Sequence, residues 1–449
     1  MILKGKKTLV YGLGKSGIAA GALLEKAGSE VYLYDGNTQL DKEKLCQEIG
    51  GPCQVMLGDF PREIMKEIDL VVLSPGVPTD LPEIVEMKTA NIDIIGEIEL
   101  AYLCSKGEVL AITGTNGKTT TTALLGEIIK AYNENSFVVG NIGTPYTLVA
   151  EKTDENSTVV AEVSSFQLET IRTFHPRVSA ILNITPDHLD RHHTMAAYIA
   201  AKVRITENQT EGDYCILNYE DEVTRKLGET LWAQVIYFSS KSVLAEGVYL
   251  KDQKIVLRYE DTEEVVCDLD DLQLLGVHNY ENVMAAVAMA LVYKVPLTII
   301  RKVLGEFAGV AHRIEFVTEK NGIAYYNDSK GTNPDAAIKA VAAMVRPIVL
   351  IAGGYNKDAD YREWIGSFNG KVKKMVLLGE TKEDIARTAM SLGFHDYVLV
   401  DSFEEAVRTA TELAGSGDAV LLSPACASWG MFKNFEERGD VFKKLVKTE

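Results

Sequence analysis

The run Gly114-Thr115-Asn116-Gly117-Lys118-Thr119 carries the strongest chemical signal in this 449-residue chain. Glycine lets a backbone turn tightly and approach phosphate with no Cβ in the way. A helix expected to begin near Lys118 offers its unpaired N–H groups and positive dipole end to an anion. Lys118 can reach the outer phosphates of a nucleotide, and the Thr119 hydroxyl suits Mg²⁺. The spacing is shorter than the common phosphate loop, because Ile112 stands where that loop has its first glycine. A ligand-free strand-to-helix turn is the plain alternative.

A second glycine loop, Gly12-Leu13-Gly14-Lys15-Ser16-Gly17, follows an early strand, and Asp35 ends the next one. This G-x-G-x-x-G pattern favours a nucleotide diphosphate at a helix N-terminus, with Asp35 near a ribose or sugar hydroxyl. Alone it also fits a nicotinamide-dependent dehydrogenase, or glycines kept only for helix–strand packing. Ser74-Pro75-Gly76-Val77 makes a further turn able to face the same ligand. Glu162, at a strand end before Ser164-Ser165, is placed to hold Mg²⁺ by carboxylate oxygen. His188 lies in Asp187-His188-Leu189-Asp190-Arg191-His192, dense in ligand-type side chains just past a strand. Lys202 sits in a helical pattern where a solvated lysine is the simplest reading. Asn327-Asp328-Ser329-Lys330-Gly331-Thr332-Asn333-Pro334 puts an anion-binding Lys330 beside helix-capping residues, and Gly353 to Lys357 forms another strand-end loop with a lysine.

These side chains need elements to hold them. The first ~95 residues alternate short β-branched runs (Thr8–Tyr11, Glu30–Tyr34, Asp69–Leu73) with helical patterns, which predicts βαβ units and a parallel sheet. A second unit opens at Val109–Thr113 and continues through Thr158–Val163 and Val178–Asn183. Residues 212–275 are predicted to form antiparallel hairpins, and Asn282–Tyr293 a closing helix. A third alternating block has strands at Ala324–Asn327, Ile348–Ala352, Met375–Leu378, Tyr397–Val400 and Ala419–Ser423. The fold class is α/β, with three domains in series.

Apolar residues make up 46% and charged residues 24%, the balance of a soluble globular protein. The net charge of −18, with no long basic run, argues against nucleic acid and anionic membrane as partners. Six scattered cysteines show no C-x-x-C pair, so neither a metal knuckle nor a disulfide framework is expected, as in a reducing cytosol. No apolar run is long enough to span a bilayer. A cytoplasmic protein is the expectation.

Taken in order, these segments resemble the Mur ligase family along the whole chain. The marks are Gly114 to Thr119, Glu162 with Ser164-Ser165, Asp187 to His192, Ala201-Lys202, His278-Asn279 with Asn282, and His312-Arg313. The D-glutamate-adding branch is indicated by Asn327 to Pro334, by Ser423 to Ser428 and by Phe432 to Gly439. The resemblance implies a Rossmann-like domain over 1–97 for a UDP-linked substrate. It implies a central P-loop-type ATPase domain with added antiparallel strands over 98–308. A Rossmann-like domain over 309–449 would take D-glutamate and part of the ATP.

The implied activity is ATP-dependent amide formation between UDP-N-acetylmuramoyl-L-alanine and D-glutamate through an acyl phosphate, in peptidoglycan precursor synthesis. By the same resemblance Lys118, Thr119 and Thr120, with the preceding loop, would bind ATP. Thr119 and Glu162 would hold one Mg²⁺, and His188 with a carbamylated Lys202 a second. Asn279, Asn282, Arg313 and Asp328 would hold the nucleotide. Gly14, Lys15, Ser16, Asp35, Ser74, Gly76, Asn141 and Ser164 would take the UDP substrate, and Lys330, Thr332, Lys357, Ser423 and Phe432 D-glutamate. A monomer is expected. Gly331 stands where alanine is usual, and Trp429-Gly430 where Phe-Asp is common, which bears on the shape of the amino-acid pocket.

Overall fold

The computed structural model describes residues 3–141, 143–260, 262–356 and 359–448. The chain divides into two compact units. One takes in the residues up to Asp271 together with Glu281–Gly305, the other Leu272–Tyr280 and the residues from Glu306 onward.

The first unit carries two sheets. One is built from β1 (Lys7–Tyr11), β2 (Glu30–Asp35), β3 (Cys53–Leu57), β4 (Leu70–Leu73) and β5 (Asp93–Gly96), ordered β3-β2-β1-β4-β5 with every pair parallel. The strand order reverses between β1 and β4, so the loops after these two strands open one crevice at the carboxyl edge, where α/β sheets bind ligands. The Ser74 hydroxyl donates to the Gly12 carbonyl at 2.6 Å and ties the two loops together. β4 is Leu-Val-Val-Leu and wholly buried, as a strand covered on both faces should be.

The other sheet has nine strands: β6 (Glu108–Thr113), β7 (Ser136–Gly140), β8 (Thr158–Glu162), β9 (Val178–Ile181), β10 (Tyr214–Asn218), β11 (Gln234–Ser239), β12 (Gly247–Lys251), β13 (Lys254–Tyr259) and β14 (Thr262–Asp268). Their order is β14-β13-β12-β11-β10-β9-β6-β8-β7. The expected hairpins over 212–275 are corrected here. β10 and β11 pair in parallel, as do β11 and β12, and only the last two pairs are antiparallel. The helix Glu222–Leu227 is the crossover that a parallel β10–β11 pair requires, and its short, polar sequence hid it. The helix Lys118–Tyr132 buries Leu124, Leu125, Ile128 and Ile129, an apolar face at helical spacing. Glu99, in the helix Glu97–Cys104, accepts the backbone N–H groups of Arg172, Thr173 and Phe174 at 2.8–2.9 Å, which anchors that helix to the second sheet's connections.

The second unit holds β15 (Glu315–Lys320), β16 (Ile323–Asn327), β17 (Ile348–Ala352), β18 (Val372–Leu377), β19 (Tyr397–Leu399) and β20 (Ala419–Leu422), ordered β15-β16-β20-β17-β18-β19. Only β15 and β16 pair antiparallel. β15, Glu-Phe-Val-Thr-Glu-Lys, has no fully buried residue, and such an edge strand leaves little apolar signal in a sequence.

One cysteine expectation is also corrected. Cys46 and Cys53 form a disulfide, with Cα atoms 5.8 Å apart. The helix Lys42–Ile49 ends at Gly50 in the left-handed region (φ +86°), which turns the chain back and brings the start of β3 alongside the last helical turn. Among the described residues no helix is long and apolar enough to cross a membrane.

Candidate active site

In the first unit the glycine loop between β6 and its helix is held by contacts from the neighbouring strand end. Gly117 (φ +88°) caps the helix in a backbone region that disfavours any side chain, and a Cβ there would run into the Asn282 side-chain oxygen. Asn282 therefore packs against this loop. Asn183, just past β9, accepts from the Asn116 N–H through its side chain (2.8 Å) and donates to the Asn116 carbonyl (3.1 Å). The Thr115 N–H donates to the Asn183 carbonyl at 2.9 Å. In the sequence Asn183 marks only a strand end, because its two-way clamp spans 67 residues. Lys118 curls back, its Nζ 2.9 Å from the carbonyls of both Gly114 and Thr115.

Lys202 is enclosed at the root of this loop. The solvated reading fails: the side chain is 2% exposed, and its Nζ donates to the Gly114 carbonyl at 2.7 Å. The ammonium also lies 4.6 Å from the Tyr198 ring centroid. Burial, with Lys118 adding like-charge repulsion, pulls its pKa down from 10.5 to about 7.

Glu162 ends β8 with 2% exposure, and one carboxylate oxygen accepts from Asn141 Nδ2 at 3.1 Å. Asn141 also lines a crevice of about 400 Å³ with Gly12, Gly14, Lys15, Ser16, Asp35, Ser74, Gly76 and Gln167. Lys15 Nζ reaches the Gly143 carbonyl at 2.5 Å, a second link between the first-sheet loop and the segment after β7. Asp35 spends its two carboxylate oxygens on the Leu13 and Asn37 N–H groups (2.7 and 2.8 Å), which hold the glycine loop in shape at the crevice. Ser164 caps the short helix Ser165–Leu168 and exchanges hydrogen bonds with Gln167 in a capping box. Gln167, not Ser164, lines the crevice, and the capping pattern Ser-x-x-Gln was the available signal for it.

His188 is exposed, with φ +51°, its Nε2 3.5 Å from Asp187 and its ring edge-on to Phe166 at 4.9 Å. The donor chemistry fits one Mg²⁺ directly, since the Glu162 carboxylate and Thr119 hydroxyl are hard oxygen ligands. Lys202 as a free amine is no such ligand. No group of three or more His, Cys, Asp or Glu among the described residues is arranged to hold a metal by itself.

In the second unit Asp328 is buried at the end of β16, and Ser423 after β20 donates to its Oδ2 at 2.7 Å. Burial pushes the Asp328 carboxyl up to about 7, against the opposing pull of the Ser423 hydrogen bond and the Arg313 charge. The Lys330 N–H donates to the His312 carbonyl, the Gly331 N–H to the Asp328 carbonyl and the Thr332 N–H to the Lys330 carbonyl, so the loop folds tightly over Asp328. A Cβ on Gly331 would run into Asp328 Oδ2, so an alanine here requires the Asp328 carboxylate to shift. Asn333 caps the helix Pro334–Ala343 through Ala336 N–H at 2.8 Å. Asn279 Nδ2 donates to the Leu275 carbonyl. Phe432 stacks edge-on against Phe403 at 5.0 Å and belongs to an apolar cluster. Lys357 lies outside the described residues.

Three family models match in series: the Mur ligase MurD-like N-terminal domain over 6–96, the Mur ligase middle domain over 112–290 and the Mur ligase glutamate ligase domain over 312–426. The chain is 56% identical to the UDP-N-acetylmuramoylalanine–D-glutamate ligase of Lachnoclostridium phytofermentans, covering 98% of both chains. It is 51% identical to the protein of the same name from Lachnospira eligens over 99% of each. Among solved structures, UDP-N-acetylmuramate–alanine ligase MurC from Thermotoga maritima shares the fold at TM-score 0.61 and 21% identity, covering 99% of both chains. MurF from Acinetobacter baumannii does so at TM-score 0.62 and 18% identity, covering 94% of this chain and 91% of that one. Matched in series by three family models, and 56% and 51% identical to curated members over nearly its whole length, the chain belongs to the Mur ligase family.

Proposed function

We propose that this chain uses ATP and Mg²⁺ to join D-glutamate to UDP-N-acetylmuramoyl-L-alanine, the reaction named for its curated relatives. The observation that carries the reading is Asn141. It lines the crevice of the first glycine loop and also donates to Glu162 beside the second, so a UDP-linked substrate and the phosphate loop share one boundary residue.

The chemistry runs in two steps. An oxygen of the substrate's terminal carboxylate attacks the γ-phosphorus of ATP, and the bond to the bridging oxygen breaks to release ADP. The amine of D-glutamate then attacks the acyl phosphate carbonyl; the C–O bond to phosphate breaks, and the amine loses a proton as the amide forms. Lys118 swings from its resting carbonyl contacts onto the outer phosphates, and the N–H groups at the start of the helix Lys118–Tyr132 face the same charge. Gly114 to Thr120, with Asn279, Asn282, Arg313 and Asp328, take the nucleotide. Thr119 and Glu162 would hold Mg²⁺, which would neutralise phosphate charge when bound.

A second Mg²⁺ would be held by His188 and a carbamylated Lys202. Only a neutral amine adds to CO₂, and a lysine with pKa about 7 is half neutral at that pH. Addition forms an N–C bond, releases a proton and turns a buried cation into an anionic oxygen ligand beside Lys118. The residues of 1–97, with Asn141 and Gln167, take the UDP moiety; 98–308 hold ATP; 309–449, through Lys330, Thr332, Lys357, Ser423 and Phe432, receive D-glutamate. A cytoplasmic monomer acting on small-molecule substrates goes with this reading; sedimentation of the purified chain checks the oligomeric state.

The test is phosphate release with UDP-N-acetylmuramoyl-L-alanine and Mg-ATP across D-glutamate, L-glutamate, L-lysine and diaminopimelate. D-Glutamate alone is expected to support turnover. Equal rates with L-lysine or diaminopimelate would assign the chain to another branch.

A further inference from the structure

Arg438 is 1% exposed, one of the largest fully buried side chains of the protein, in the first turns of the helix Phe435–Thr448. Its guanidinium makes three hydrogen bonds: Nε to Ser329 Oγ at 2.9 Å, Nη2 to the Ser329 carbonyl at 2.7 Å and Nη1 to the Cys426 carbonyl at 3.2 Å. Ser329 Oγ in turn donates to the Phe435 carbonyl at 2.8 Å, so helix and loop grip each other from both sides. All three acceptors of the guanidinium are neutral oxygens. A buried cation without a bonded anion costs stability, and burial lowers its pKa to about 10, which leaves it charged at neutral pH.

The two segments it clamps are the ones that matter for the amino acid. Ser329 immediately precedes Lys330 in the loop after β16, and Cys426 lies three residues past Ser423 in the loop after β20. The same two loops meet at the Ser423–Asp328 hydrogen bond of 2.7 Å. β16 and β20 are adjacent parallel strands, so their backbone ladder sets strand spacing but stops at Asn327 and Leu422. One more backbone bond, from the Asp328 N–H to the Leu422 carbonyl at 2.7 Å, and the Ser423–Asp328 bond carry the pairing to the loop roots. Further out, Arg438 is the side chain that bonds both loops. The planar fork of Arg438 bonds both at once, which an ammonium on a flexible stem does not reproduce.

We propose that Arg438 is a positioning residue for D-glutamate, setting the separation of the Lys330 loop from the Ser423 loop. This rests on the proposed function, and it extends that reading to a residue on neither strand nor loop of the pocket.

The experiment uses the full-length chain. Phosphate release by the wild type with D-glutamate is measured first, since its absence would sink the proposed function and this inference with it. Arg438→Lys is expected to raise the KM for D-glutamate at least tenfold while the KM for UDP-N-acetylmuramoyl-L-alanine stays within twofold. Ser329→Ala, which removes one acceptor and leaves the guanidinium in place, is expected to raise the D-glutamate KM by a smaller factor, and it carries the test if Arg438→Lys does not fold. An unchanged D-glutamate KM in the folded variants, with an active wild type, overturns the inference alone. So does an equal rise in the KM values of all substrates, the mark of a merely structural role.

Discussion

Replacing Lys202 by methionine should stabilise the protein and abolish its activity at once. The side chain is 2% exposed, and its pKa falls from 10.5 to about 7 on folding. The folded state thus binds this proton more weakly than the unfolded chain does. The cost is fully present below pH 7, shrinks as pH rises toward 10.5, and is gone above it. At pH 7 it amounts to about 4 kcal/mol as a ceiling, with the Gly114 hydrogen bond and the Tyr198 ring working against the cost of burial. Methionine has similar length and no charge, so Lys202→Met removes the penalty with little change in packing. At roughly 2 °C per kcal/mol for a unit of this size, Tm at pH 7 should rise by several degrees. The assay is thermal melting of both proteins from pH 6 to 10 in Mg²⁺-free, bicarbonate-stripped buffer, which keeps the amine unmodified. The gap between the two curves should close as pH rises. Parallel curves, or a variant less stable at pH 7 than at pH 10 relative to wild type, would refute a lysine buried at a loss.

Other outcomes follow from the same geometry. Lys118→Ala should lower phosphate release by about 10³-fold or more, while titration calorimetry finds UDP-substrate affinity within twofold; loss of both together would contradict the separation of the two loops' roles. Asn141→Ala removes a hydrogen bond to a carboxylate, a loss of about 1.5–3 kcal/mol. It should cut kcat/KM by roughly 10- to 100-fold and weaken both UDP-substrate and Mg²⁺ titrations, whereas a change in only one would break the proposed link through Glu162.

The chemistry of this protein is legible in its sequence wherever one loop supplies it. Gly114 to Thr119, Gly12 to Gly17 and Asn327 to Pro334 each combine a strand end, a tight turn and a helix start, a local pattern that marks them before their distant partners are known. Parallel strands rich in branched residues, such as β4 and β17, also announce themselves, because burial on both faces demands an unbroken apolar run. What the tertiary structure alone decided depends on segments far apart in the chain. Spacing alone does not separate Lys202 from a solvated lysine; Gly114 and Tyr198 enclose it only in the folded chain. Asn141 gains meaning only when β7 and β8 lie side by side and Glu162 comes within reach. Asn183 and Arg438 act by spanning 67 and 109 residues of sequence. The parallel pairing of β10 with β11 likewise waits on the folded chain. Desolvation and hydrogen-bond partnership are properties of a neighbourhood, and a neighbourhood assembled from distant segments leaves no periodicity for a linear reading to find.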